Sequence, residues 1–183
     1  MAKDIISVIE ANRLTHLDVQ CLPAHLHHTP QKIPEEVRKK IRINTEKYDK
    51  IFVIYGDCGT GGVLDRVLEE EGGVERIPGP HCFSFYWGNA AFSQHCEDEI
   101  RTFYLTDFFC RFFDDFIWKA FGLDRHPSMV EFVFGHYETL VFMPQVEDPV
   151  LEEKARDIAR KLDLRYAYRF AGFGDLERTI RSV

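Results

Sequence analysis

Three groups of residues have the types and spacing to do chemistry. The first is the run Tyr55-Gly56-Asp57-Cys58-Gly59-Thr60-Gly61-Gly62. It follows the apolar stretch IFVIY (51–55) and precedes VLDRVLEEEG, which has the pattern of a helix closed by Gly72. In open α/β sheets, ligands bind where a strand ends and a helix begins. The glycines permit positive φ and close backbone approach, and the helix N-terminus offers free N–H groups to an anion. A thiol there has its pKa lowered by the helix dipole, which favours the reactive or metal-ligating thiolate. The run is not a Walker A loop, because no Lys-Ser/Thr follows, and its glycine spacing is not the dinucleotide fingerprint. It is not a Cys-x5-Arg phosphatase loop either, because residue 64 is Leu. The plain alternative is a tight turn around a buried cysteine.

The second group is Gly79-Pro80-His81-Cys82. Zinc accepts both imidazole and thiolate, so His81 and Cys82 could serve one ion. Neighbours on an extended chain point to opposite sides, so this needs a turn, and the Pro and Gly flanks supply one. Cys58, His81 and Cys82 would make three protein ligands, the number of a catalytic site with an open position. No CxxC pair supports this, and a buried Cys beside a surface His is an equal reading. The third group is His25, His27 and His28 in LPAHLHHTPQKIP. His25, like His95, His126 and His136, reads as an ordinary polar residue, while His27 or His28 is kept as a site-lining group. Thr106 and Asp107 read either as pocket residues or as the first-turn polar residues of a helix.

The elements that must position these groups alternate between strand and helix. Helices are expected at 5–13, 34–46, 63–72, 86–95, 149–162 and the C-terminus. Strands are expected at Leu17–Leu22, Ile51–Tyr55, Val74–Ile77, Thr139–Met143 and Arg165–Phe170. Between Phe83 and Phe121 lie 14 aromatic residues in 39. Within them Leu105, Phe108, Phe109, Phe112, Phe113, Phe116, Ile117 and Ala120 follow i, i+3, i+4, i+7 spacing, which predicts one long amphipathic helix with a core stripe. Phe83, Phe85, Tyr86 and Trp87 follow the His81–Cys82 turn and are candidates to wall a site. The alternation predicts an α/β fold, a mostly parallel sheet with helices on both faces in a single three-layer domain over 1–183.

The chain has 183 residues and a net charge of −7. That length suits one domain that needs no disulfide staples. The acidic balance argues against nucleic-acid and anionic-membrane partners. No apolar run reaches the roughly 18–20 residues of a membrane span. The start has no secretory cleavage pattern, so the five cysteines are expected as reduced thiols or thiolates in the cytoplasm.

The combination YGDCGTGG, GPHCF, TFYLTDF, GLDRHP and GFGDL resembles the domain of unknown function 1638 family over essentially the whole chain. Members look like companions of corrinoid-dependent methyltransferases for methylated amines, which implies a one-carbon pathway and no particular reaction. Members typically open with an apolar strand ending in Ala-Cys-Gly, absent before AKDIISVIEANRL here. The expectation is therefore a truncated first strand and a third strand-end cysteine that would join Cys58 and Cys82. Three such cysteines would suit zinc or an iron–sulfur cluster.

Three functions follow. The first is a metal-dependent methyl- or thiol-chemistry protein, with zinc or an iron–sulfur centre on Cys58 and Cys82 and with His81 as ligand or acid/base. The Gly59, Thr60, Gly61 and Gly62 backbone would hold an anionic group. The second is a non-catalytic module docking on a corrinoid protein or methyltransferase, with a homo-oligomer as a further option. The third is a small-anion binder using only the GDCGTGG backbone.

Overall fold

The structure is a computed structural model and describes residues 1–94 and 100–183. The expected helix end at residue 95, His95 and Cys96 lie outside the described residues. By its internal contacts the chain forms two compact units, Met1–Phe85 with Gly174–Val183, and Tyr86–Phe173. The fold is α/β, and every strand pairing among the described residues is parallel. The strands lie in two small sheets, of two and three strands. No helix among the described residues is long and apolar enough to cross a membrane.

The first unit begins with α1 (Ala2–Ala11), which buries Ile5 and Val8 and packs on the C-terminal helix (Gly174–Ser182). Leu17–Leu22 is not the expected strand but has no regular structure. Its Gln20 exchanges amide hydrogen bonds with Asn44, at 3.0 and 3.2 Å, so side chains rather than a backbone ladder hold this segment. Short 3-10 turns follow at Ala24–His28 and Pro30–Lys32. Next come α2 (Ile33–Asn44), β1 (Phe52–Val53), α3 (Val63–Glu70), β2 (Glu75–Arg76) and the start of α4 (Cys82–Trp87). The helix α2 has Pro34 in its first turn, where a missing N–H costs nothing. It buries Ile33, Val37 and Ile41 against Leu26, Leu64 and Leu68. Tyr55 and Cys58 pack on the edge of this cluster. The strands β1 and β2 pair in register Phe52↔Glu75 and Val53↔Arg76, so the two chemical loops leave the sheet side by side.

The second unit contains α5 (Asn89–Ser93), β3 (Thr102–Thr106), α6 (Asp107–Arg111), α7 (Met129–Phe134), β4 (Thr139–Met143), α8 (Pro149–Lys161) and β5 (Arg165–Tyr168). Its sheet has the order β3-β4-β5. The side chain of Asp148 caps α8 by accepting from the N–H groups of Val150 and Leu151, both at 3.1 Å. Leu151, Ala155 and Ile158 of α8 meet Leu105, Leu140 and Phe142 of the sheet in one core.

The aromatic stretch corrects the expectation of one long helix. Leu105 lies in β3, because TFYLT is rich in the β-branched and aromatic residues that favour strands and pairs with Thr139–Met143. Helix α6 lasts five residues, and a π-turn follows at Asp114–Trp118, where Lys119 N–H donates to the Asp114 carbonyl at 2.8 Å. The wider turn breaks the 3.6-residue period. Cys110, Phe113 and Ile117 are buried in the core, whereas Phe112 faces solvent.

Candidate functional site

The loop after β1 and the turn after β2 meet at Gly56. A β-carbon there would stand 3.0 Å from the carbonyl carbon of His81, so only glycine lets the two backbones pass so closely. Two hydrogen bonds then join them. Asp57 N–H donates to the Gly79 carbonyl at 3.0 Å, and Cys58 N–H to the Pro80 carbonyl at 2.9 Å. Cys58 takes a φ of +48°, in the left-handed region that non-glycine residues seldom adopt. Strain of this kind tends to gather at functional sites. On the other side, the His81 carbonyl accepts from Ser84 N–H at 3.1 Å and Ser84 Oγ at 2.7 Å, which fixes the start of α4 at Cys82. The result is that the sulfurs of Cys58 and Cys82, 24 residues apart in the chain, lie 3.2 Å from each other.

A third donor joins them from the 3-10 turn at Ala24–His28. One ligand atom each from His27, Cys58 and Cys82 lies within 4.8 Å of the others, and this is the one such group among the described residues. Nδ1 of His27 is 3.2 Å from the Ala24 carbonyl. A hydrogen donated there leaves the other ring nitrogen with its lone pair. The ring also stacks on Tyr55, with centroids 5.5 Å apart. The imidazole of the group therefore comes from His27, in the place that the sequence reading gave to His81. His81 lies outside the group, half-buried, with its ring stacked on Phe83 at 4.9 Å.

The family described as protein of unknown function (DUF1638) matches residues 21–180. The chain belongs to that family. No curated protein and no solved structure matches it. All three converging donors fall inside the DUF1638 match.

The electrostatics of the DUF1638 site follow from the short contacts. The Cys58 thiol is brought down to about 5, first by the hydrogen bond from Cys82 and also by His27, against the opposing effect of burial. Cys82 moves the opposite way, well above the ordinary thiol range, because its hydrogen is held by Cys58 and because the surrounding protein partly desolvates it. The His27 imidazole is raised, chiefly by its hydrogen bond to Cys58. Of the two sulfurs, Cys58 is thus the one that favours the thiolate, with the Cys82 thiol and the His27 ring beside it. Burial, followed by the nearby sulfurs, raises the Tyr55 hydroxyl, which stays neutral.

The glycine cradle is used differently from the sequence expectation. The carboxylate of Asp57 accepts from Thr60 Oγ1 at 2.7 Å, from Gly62 N–H at 2.8 Å and from Gly61 N–H at 3.1 Å. These bonds hold the Asp57 carboxyl below the usual range, with the Gly62 N–H the largest cause. The donors at Thr60, Gly61 and Gly62 therefore serve a residue of the loop itself, and the Gly59 backbone contributes to the same carboxylate. The signal was present in the sequence: an Asp placed before a run of glycines at a helix start is a ready internal acceptor.

The remaining candidates are structural. The buried Cys110 thiol is pushed up to about 12 by burial and donates to the Leu151 carbonyl. Asp107 begins α6 and exchanges hydrogen bonds with Gln145, and Thr106 is buried at the end of β3. Cys21 is exposed.

Two thiols and one imidazole are a donor set that zinc takes with a fourth position left open. In a tetrahedral zinc site with bonds of about 2.3 Å, two sulfurs lie about 3.8 Å apart. The observed pair would need to separate by only about half an ångström. A cubane or two-iron cluster is usually held by four cysteines, and the group contains two.

Proposed function

We propose that this DUF1638 protein holds zinc between Cys58, Cys82 and His27, and that the site supports one-carbon methyl transfer alongside a corrinoid-dependent methyltransferase. The observation that carries the metal half is the convergence of three donor atoms within 4.8 Å. The pathway half rests on the family resemblance. Bound zinc would leave one coordination position open and lower the pKa of a thiol or water placed there.

The chain's own residues prepare this. The Cys58 and Cys82 backbones are held by the Gly56–His81 approach. The Ala24 carbonyl orients the His27 ring, as outer-shell carbonyls do for metal-binding histidines. Tyr55 covers one face of that ring. His81 has no ligand role in this reading. Both sulfurs bind metal only as reduced thiolates, which suits a reducing compartment such as the cytoplasm.

Metal analysis of the full chain purified without oxygen tests the reading. About one zinc per chain is expected, as for a single three-ligand site. It should be lost in Cys58→Ser and Cys82→Ser and weakened in His27→Ala. Absence of metal above trace, with no binding on zinc titration, overturns the reading. Iron with a visible charge-transfer spectrum would replace zinc by a cluster.

A further inference from the structure

We propose that Cys58 and Cys82 also form an exchange-competent dithiol whose substrate class is the low-molecular-weight disulfide. The inference uses the sulfurs of the metal site but does not need the metal. It stands on geometry. The sulfurs are 3.2 Å apart, and a disulfide bond is about 2.05 Å long, so closure requires little more than 1 Å of movement. Both residues are partly accessible, and Cys58 lies on a loop whose neighbours Gly59 and Gly61 have positive φ. Cys110 is buried in the other unit.

The chemistry balances with the small disulfide, RSSR, as oxidant. The Cys58 sulfur attacks one sulfur of RSSR, forming a Cys58–SR bond and breaking the S–S bond. The first leaving group departs as RS⁻, carrying the charge of the Cys58 thiolate, and takes a proton from solvent. The Cys82 sulfur then attacks the Cys58 sulfur, breaks the Cys58–SR bond and closes the Cys58–Cys82 disulfide. The second RSH leaves with the Cys82 proton. Two protein thiols are oxidised, and one small disulfide is reduced to two thiols. A closed disulfide offers no thiolate to a metal, so oxidation and zinc binding exclude each other at this site.

The test treats the metal-free full chain with oxidised glutathione and maps the disulfides by peptide mass spectrometry. The expected product is a peptide linking Cys58 to Cys82. Cys82→Ser should instead retain glutathione on Cys58. A lasting glutathione adduct at Cys58 of the natural chain, or links that run only to Cys21, Cys96 or Cys110, overturns the inference. The natural chain decides this even if the variant does not fold. A second arm preloads zinc, and linking should then slow by ~10-fold or more, because coordinated thiolates are poor nucleophiles towards RSSR. Linking at an unchanged rate leaves the dithiol standing and overturns zinc ligation by these sulfurs.

Discussion

The backbones of Gly56 and His81 touch: a β-carbon on Gly56 would stand 3.0 Å from the His81 carbonyl carbon and 3.1 Å from its Cα. Neither neighbour is a flexible side-chain tip, so Gly56→Ala must push the loop and the turn apart. Overpacking of this kind costs about 1–3 kcal/mol. The shift also separates Cys58 from Cys82, and zinc affinity should fall by ~10-fold or more, as when supporting contacts of a metal site are lost. Urea unfolding and a zinc titration measure the two effects. An alanine variant that matches the natural chain in both would refute the close approach.

Cys58 should behave as a thiolate at neutral pH. Alkylation of the metal-free chain by iodoacetamide should stay fast as pH falls and drop only through about 5. The thiol is an acid whose folded pKa is depressed. Its contribution to stability is therefore present above the ordinary thiol value and lost as pH falls through about 5. His27 has the opposite sign, because its folded value is raised. Its contribution is full below the ordinary imidazole value and fades as pH rises through the folded one. Cys82→Ala should move the alkylation midpoint upward. A midpoint near the usual thiol value in the natural chain would dismiss the pair.

Glu71 ties α2 to the end of α3. Its carboxylate, only 11% exposed, accepts from Arg42 at 2.7 and 2.9 Å and from Arg38 at 2.6 Å. These arginines, Arg42 first, hold it down at about 2. The sign is that of a depressed acid, so the contribution is full above 4.5 and is lost as pH falls towards 2. Glu71→Gln should lower the urea midpoint at neutral pH, and the gap to the natural chain should close in that acid window. A constant gap across it would contradict the assignment.

Phe112 and Phe113 are neighbours with opposite fates, 41% and 1% exposed. Phe113→Ala should cost about 3–5 kcal/mol, as for a buried phenylalanine. Phe112→Ala should cost under ~1 kcal/mol, in the range of surface changes. Equal costs in denaturant unfolding would restore the continuous helical stripe.

The sequence carried the parts of the fold that depend on local pattern. Thr139–Met143 reads as a buried strand and is one, and Pro149 with the Asp148 cap marks the start of α8. The misreadings come from places where local pattern is ambiguous. LDVQCL alternates like a strand, but a Gln20–Asn44 amide pair holds it to α2 in place of a ladder. TFYLTDFF has the residue types of a strand inside a helical spacing, and its division at Asp107 is settled by the pairing of β3 with β4. At the site, Cys58 and Cys82 were legible because each follows a short strand at a Gly-rich turn. The choice of His27 over His81 was not legible. It depends on a 3-10 turn more than 25 residues upstream in the chain, and no short-range spacing reports that.

The carboxylate of Asp57 means that the loop carries its own anion. Three donors of the glycine run are spent on that carboxylate, from Thr60, Gly61 and Gly62. The same glycine run that could cradle a phosphate in another chain here braces the turn that presents Cys58.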